Sequence, residues 1–138
     1  MQIGQTNNTS FGFNSIKFLD EGAEQLFNMK NKHLNKEKLA NVLNEVKNIK
    51  PTSGPDVDVF IGICGKNSKT PASYLTYKEP NSLIRKGFIY IEDKKHSLEN
   101  ILNAFKKLAT QVDETRIMEE EAKATRKPIK HHYYKDYL

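Results

Sequence analysis

The chain has 138 residues and a formal net charge of +5, with 28% charged and 37% hydrophobic side chains. This length suits one domain with extensions, and the hydrophobic share allows one modest core plus long polar segments. Its single cysteine, Cys64, excludes an internal disulfide and a cysteine-based zinc site within one chain. Neither a membrane-spanning apolar run nor a signal peptide is recognisable, so we expect a cytoplasmic protein with no membrane association.

The positive charge comes almost entirely from lysine, because only three of the 22 basic residues are arginines. Lysine attracts phosphate as a point charge, whereas bidentate reading of bases usually uses arginine. The charge therefore predicts loose attraction to polyanions rather than sequence-specific recognition.

Residues 1–14 are rich in Asn, Gln, Thr and Ser, and we predict a flexible N-terminal segment. Within it, residues 8–12 (NTSFG) resemble the start of many small bacterial proteins, a resemblance that implies no activity. Residues 14–19 form a candidate short strand. Asp20 then predicts the N-cap of a helix that ends near Asn31, and a hairpin around Gly22 is the competing interpretation.

A second helix is predicted over residues 35–50, with Asn35 as its N-cap. Apolar residues recur along it at helical spacing, and Pro51 ends it. These residues are Leu39, Val42, Leu43, Val46 and Ile49.

Three strands are predicted next, over residues 57–64, 72–78 and 85–92. The first places Val57, Val59, Ile61 and Ile63 on one face, since side chains alternate across a strand. Connections this short favour antiparallel neighbours. The predicted fold class is therefore α+β, in the order α-α-β-β-β-α, with a three-stranded antiparallel sheet and helices packed on one face.

The clearest helix is predicted from Ser97 to Val112, where one apolar stripe should cover the aliphatic face of the sheet. Beyond it, residues 113–127 are charged nearly all round and predict an extended polar C-terminal helix or a frayed one. Residues 129–138 form a tail rich in Tyr and His. We thus divide the chain into a segment 1–14, a domain 15–112 and a polar helix with its tail, 113–138.

The leading functional hypothesis is a small non-enzymatic interaction module that binds a protein partner, or a second copy of itself, through the C-terminal helix and tail. A polar helix followed by an aromatic tail is typical of a docking element, and it requires no chemistry. The candidate docking residues are Ile117, Met118, Tyr133, Tyr134 and Tyr137.

The alternative is weak, sequence-tolerant RNA or DNA binding through lysines and an aromatic sheet face. The candidate residues are Phe60, Phe88, Tyr90, Lys66, Lys86, Lys94 and Lys95. The order of elements resembles that of double-stranded RNA-binding domains, which place phosphate-contacting lysines before their last helix, as Lys94 and Lys95 stand here. The chain departs from that family in lacking an Ala-rich last helix. A structural interpretation competes, in which Phe11, Phe13 and the first helix cover the aromatic face.

Catalysis is the least supported class, since no base, nucleophile and charge stabiliser stand at recognisable spacing. The stretch 62–67 has the wrong glycine spacing for a phosphate-binding loop and predicts a hairpin loop. His131 and His132 could join His96 at a metal, but a solvated tail is the favoured interpretation. We therefore predict no enzyme activity, no catalytic residue, no metal and no cofactor.

Overall fold

The computed structural model describes residues 15–46, 48–91 and 95–125 of the chain. This part of the protein is α+β, as predicted, with three helices and a four-stranded mixed sheet. The elements in chain order are β1 (Ser15–Phe18), α1 (Glu21–Asn31), α2 (Lys36–Val46), β2 (Asp58–Cys64), β3 (Ala72–Lys78), β4 (Arg85–Ile91) and α3 (Leu98–Thr125).

All three helices begin where side chains can satisfy their first backbone N–H groups. Asp20 Oδ1 accepts from the Ala23 N–H at 2.8 Å, and Asn35 Oδ1 accepts from the Lys38 N–H at 3.0 Å. Ser97 Oγ accepts from the Asn100 N–H at 3.0 Å, while the Asn100 side chain accepts from the Ser97 N–H at 2.9 Å. The predicted helix starts are confirmed, and residues 21–31 are a helix rather than a hairpin around Gly22.

The sheet has the strand order β1-β2-β3-β4, in which β1 runs parallel to β2 and the remaining pairs are antiparallel. The prediction of a three-stranded, wholly antiparallel sheet is wrong in this respect. A parallel pair needs a long crossover, and here α1 and α2 supply it. The register sets Ile16 opposite Val59 and Phe18 opposite Ile61, so β1 adds apolar side chains to the face that β2 already presents.

All three helices contribute to one core on that aliphatic face. The ring of Phe27 in α1 lies 5.6 Å from the ring of Phe18, which places α1 on this side of the sheet. The first helix therefore does not cover the aromatic face, and Phe11 and Phe13 lie outside the described residues. The buried residues that α2 and α3 supply to the core are Val42, Leu43, Val46, Ile101, Ala104, Phe105, Leu108, Ala109 and Val112.

Strand β4 contains a bulge at the point where it approaches α3. The β3–β4 register shifts between Leu75 and Tyr77, and Gly87 nearby has a φ of +76°. A Cβ atom at Gly87 would lie 2.5 Å from Gln111 Oε1, so a larger residue would clash with α3. Gln111 Oε1 accepts a hydrogen bond from the Phe88 N–H at 2.9 Å. It thereby satisfies a backbone donor on the edge strand β4.

Helix α3 continues for 28 residues, well past the end of its apolar stripe. The boundary that we predicted between residues 112 and 113 falls inside this helix. No helix in the described part of the chain is long and apolar enough to cross a membrane.

Candidate interaction surfaces

Residues 113–125 of α3, the distal half, are attached to the body by polar side chains. Asp113 accepts hydrogen bonds from the backbone N–H groups of Thr52 and Ser53, both at 3.0 Å, and from their hydroxyls. Burial alone would raise the pKa of Asp113. The hydrogen bonds from Ser53 and Thr52 outweigh it and hold this pKa below its ordinary value. Asp113 thereby fixes the loop before β2 against α3.

Arg116 joins this loop to the turn between β3 and β4. Its Nε and Nη2 atoms donate to the two carboxylate oxygens of Glu79 at 2.8 and 2.7 Å, a bidentate pair. Arg116 also donates to the carbonyl oxygens of Ser53 and Pro55. Hydrogen bonding to Glu79 raises the pKa of Arg116 above its ordinary value, so the charged form of the guanidinium is favoured.

A third attachment lies one turn further along the distal half. Lys86 Nζ and Glu119 Oε2 are 2.7 Å apart in an ion pair that is mostly shielded from water. Tyr77, the neighbour of this pair on β3, is fully buried, and the burial of its hydroxyl raises its pKa to about 12. These contacts place Lys86 on the helix side of the sheet, away from the aromatic face with which it was grouped.

Two large apolar side chains of the distal half are open to solvent. Ile117 is 56% exposed and Met118 42% exposed. Ile117 stands two residues from Glu119, so it projects about 200° around the helix from the side chain that pairs with Lys86. Leu83 and Ile84, also exposed, precede Lys86 in the β3–β4 connection at the same end of the molecule. The predicted docking residues Tyr133, Tyr134 and Tyr137 lie outside the described residues.

The second surface is the sheet face opposite the helices, on which four aromatic side chains lie together. The Phe88 ring lies 4.6 Å from that of Tyr74 and 4.8 Å from that of Tyr90. Tyr74 covers Gly62 on β2, where a Cβ atom would lie 2.5 Å from the ring. Phe60 completes the group, with Lys78 Nζ 6.0 Å from its ring centre. Tyr90 is the most open of the four, at 46% exposure.

Lys78 borders this aromatic face together with two basic side chains that the sequence analysis did not select, Lys17 and Arg85. Lys17 on β1 stands opposite Phe60 on β2, and Arg85 stands opposite Lys78 at the β3–β4 end. The pairing of Lys78 with Arg85 could have been inferred from the hairpin, since these residues flank its turn. Lys17 gave no such signal, because its position depends on a parallel partner far along the chain.

The structure places Lys66 away from this face. The Cε and Nζ atoms of Lys66 lie 3.9 Å from the position of a Cβ atom at Gly22, near the start of α1. Lys95 is exposed just before α3, and Lys94 lies outside the described residues. Of the predicted residues that the structure describes, Phe60, Phe88 and Tyr90 lie on this face together.

Over residues 15–46, 48–91 and 95–125, no three His, Cys, Asp or Glu side chains are placed to hold a metal ion. His96 is buried against the Phe27 ring. Its backbone N–H donates to the Lys30 carbonyl oxygen, and its ring Nδ1 lies 2.7 Å from Asn31 Oδ1. This histidine therefore joins the end of α1 to the start of α3.

Comparison with protein-family models, with curated proteins and with solved structures found no match to this chain. Function is therefore inferred from the two surfaces alone.

Proposed function

We propose that this protein is a non-enzymatic interaction module that binds a protein partner through the distal half of α3 and the tail that follows it. The observation that carries the proposal is the contrast between the attached and the exposed side chains of this helical segment. Glu119 and Arg116 attach this segment to the body, while Ile117, about 200° around the helix from Glu119, and Met118 are exposed. A helix that is already ordered loses less conformational entropy on binding than a flexible segment would.

The charges around Ile117 define the partner. Glu114, Glu120 and Glu121 are exposed and stand three or four residues from it, which makes them its neighbours on the helix surface. The partner should therefore offer an apolar groove with a basic rim, into which the helix lays its exposed side. Burial of the part of Ile117 that is still exposed would contribute about 1–1.5 kcal/mol to binding.

Site-specific photo-crosslinking in native cell extract tests this proposal. A photoreactive residue at Glu121, one turn from Ile117, should capture a defined partner, and the same group at exposed Thr110 should not. The product should be lost in the Ile117→Glu variant and kept in Lys107→Glu, a matched change on the proximal part of α3. The captured protein is then purified and titrated directly with wild type and both variants, and sedimentation of this protein alone shows whether the partner is a second copy. Equal crosslinking and equal affinity of Ile117→Glu and wild type would reject the proposal.

A second candidate function, sequence-tolerant binding of single-stranded nucleic acid, is favoured by one observation. Lys17, Lys78 and Arg85 border the sheet face that carries Phe60, Phe88 and Tyr90. Bases can stack on such aromatic side chains while the lysines and the arginine bind phosphates.

Polarisation of labelled RNA and DNA at low and physiological salt tests this second candidate. Affinity should fall steeply with salt, and Lys78→Gln should reduce the slope of log K against log salt by about one. Tyr90→Ser should weaken single-strand binding, while Ile117→Glu should leave it unchanged. Absence of binding even at low salt would remove this candidate.

A further inference from the structure

A cavity of about 370 Å³ opens between the end of α1 and the side of α2. Asn31 and Lys32 line it from the end of α1, Lys36, Leu39 and Leu43 line it from α2, and Leu34 lies between the two helices. The volume lies within the range of sites that hold small molecules, and a mainly apolar lining with a few polar groups is typical of them.

Asn31 is the unusual residue in this lining. Its side chain is only 5% exposed, and its Oδ1 atom lies 2.7 Å from His96 Nδ1. With Asn31 Oδ1 as the acceptor in this contact, Nδ1 of His96 is the protonated ring nitrogen. The Asn31 Nδ2 group then has no hydrogen-bond partner among the described residues. A buried donor left unpaired is unfavourable, and an acceptor on a ligand would remove that cost.

The charges of the lining are of one sign. Lys32 and Lys36 are both exposed at the mouth of the cavity, and none of the described residues that line it is acidic. Two ammonium groups and one amide N–H provide donors only, so the complementary group is an anion. The leucines of the lining suit a hydrocarbon chain.

We propose that this cavity is a binding site for a small aliphatic carboxylate. The carboxylate lies between the ammonium groups of Lys32 and Lys36 and accepts from Asn31 Nδ2, and its chain packs along Leu34, Leu39 and Leu43. The site is separate from the distal half of α3 and from the aromatic sheet face, and it does not depend on the function proposed above.

The test is a titration of the ¹⁵N-labelled full chain with octanoate, followed by NMR. The Asn31 side-chain amide and the backbone amides around Lys32 and Lys36 should shift with saturation. Acetate lacks the chain and 1-octanol lacks the anion, so each should bind at least tenfold more weakly. Inorganic phosphate tests whether the site binds any anion. If phosphate produces the same shifts as octanoate with the same affinity, the proposal is overturned.

Variants assign the roles of the lining residues. Lys36→Gln should weaken octanoate binding about tenfold, which corresponds to about 1.4 kcal/mol. Lys38→Gln, a matched change on the same helix outside the cavity, should leave the affinity unchanged. Asn31→Asp keeps an oxygen to accept from His96 but replaces the donor with a negative charge, and it should abolish binding while the spectrum stays that of a folded protein. If Asn31→Asp does not fold, the test is the comparison of Lys36→Gln with Lys38→Gln, and equal octanoate affinities of these two variants would overturn the proposal. The proposal would also be overturned if octanoate shifted other resonances but not the Asn31 side-chain amide.

Discussion

Residues 98–112 and 113–125 of α3 contact the same body, the first half through buried apolar side chains and the second through hydrogen-bonded charges. In the proximal half, Ile101, Phe105, Leu108 and Val112 are each 0% exposed. The distal half instead uses Asp113, Arg116 and Glu119, whose partners belong to loops and to the start of β4. One continuous helix thus has two kinds of attachment.

The difference between the two halves bears on stability and on function. Apolar burial is non-directional and scales with area, so the proximal half should open only when the whole core unfolds. Hydrogen bonds to charged groups contribute less net free energy but fix geometry, so the distal half should open locally at lower cost. It can hold a defined orientation while Ile117 and Met118 stay exposed.

The largest expected effect lies in the proximal half. Phe105→Ala removes a fully buried ring from the core and should lower the free energy of unfolding by about 3–5 kcal/mol. Urea denaturation measures this change, and Lys106→Ala, an exposed neighbour on the same helix, is the control. A loss below 1 kcal/mol for Phe105→Ala would mean that the core does not depend on this half of α3.

In the distal half, Arg116→Met should cost less, about 2 kcal/mol, because it removes hydrogen bonds between charged groups rather than core volume. The loss should also be local. Amide hydrogen exchange should speed up in residues 113–125 and remain slow in residues 98–112. A double-mutant cycle with Glu79→Gln isolates the contribution of the bidentate pair. Uniform acceleration along the whole of α3 would show instead that the two halves open as one unit.

Features fixed by nearby residues were predictable from the sequence. The caps at Asp20, Asn35 and Ser97 bond to groups three residues away, and the strand predicted over residues 72–78 matches β3, which is bounded by turn-forming residues. The α+β class followed from these local patterns.

Features that depend on distant residues were not predictable. The partner of β1 lies beyond two helices, and a single sequence carries no signal for that pairing. Arg116 bonds to a carbonyl 63 residues earlier, so its segment looked charged all round although one side is attached to the body. The buried contact between Asn31 and His96 spans 65 residues and was missed for the same reason. The roles assigned to Ile117 and Met118 remain predictions.

The response of the two halves to acid should differ as well. The folded-state pKa of Asp113 is lower than its unfolded value, so its contribution to stability is complete above the unfolded pKa, near 3.9. It is lost as the pH falls through the folded-state pKa. Asp113→Asn should therefore reduce the loss of stability below about pH 4, measured by urea denaturation at a series of pH values. An unchanged pH profile in this variant would mean that Asp113 does not stabilise the fold through its charge.

The smallest expected losses of stability come from two ion pairs that involve the distal half. A comparison of them shows whether shielding from water determines how much an ion pair stabilises the fold. The Lys86–Glu119 pair is 2.7 Å long with side chains 12% and 29% exposed, whereas Lys123–Glu120 is 3.8 Å long with both side chains nearly 80% exposed. Lys86→Met should cost about 1 kcal/mol, and Lys123→Met should change stability by less than about 0.5 kcal/mol. Thermal unfolding of the two variants side by side at low and high salt makes the comparison. If both cost the same, the distal half is held by general charge attraction rather than by the shielded contacts of Arg116 and Glu119, and the orientation of Ile117 would not be fixed.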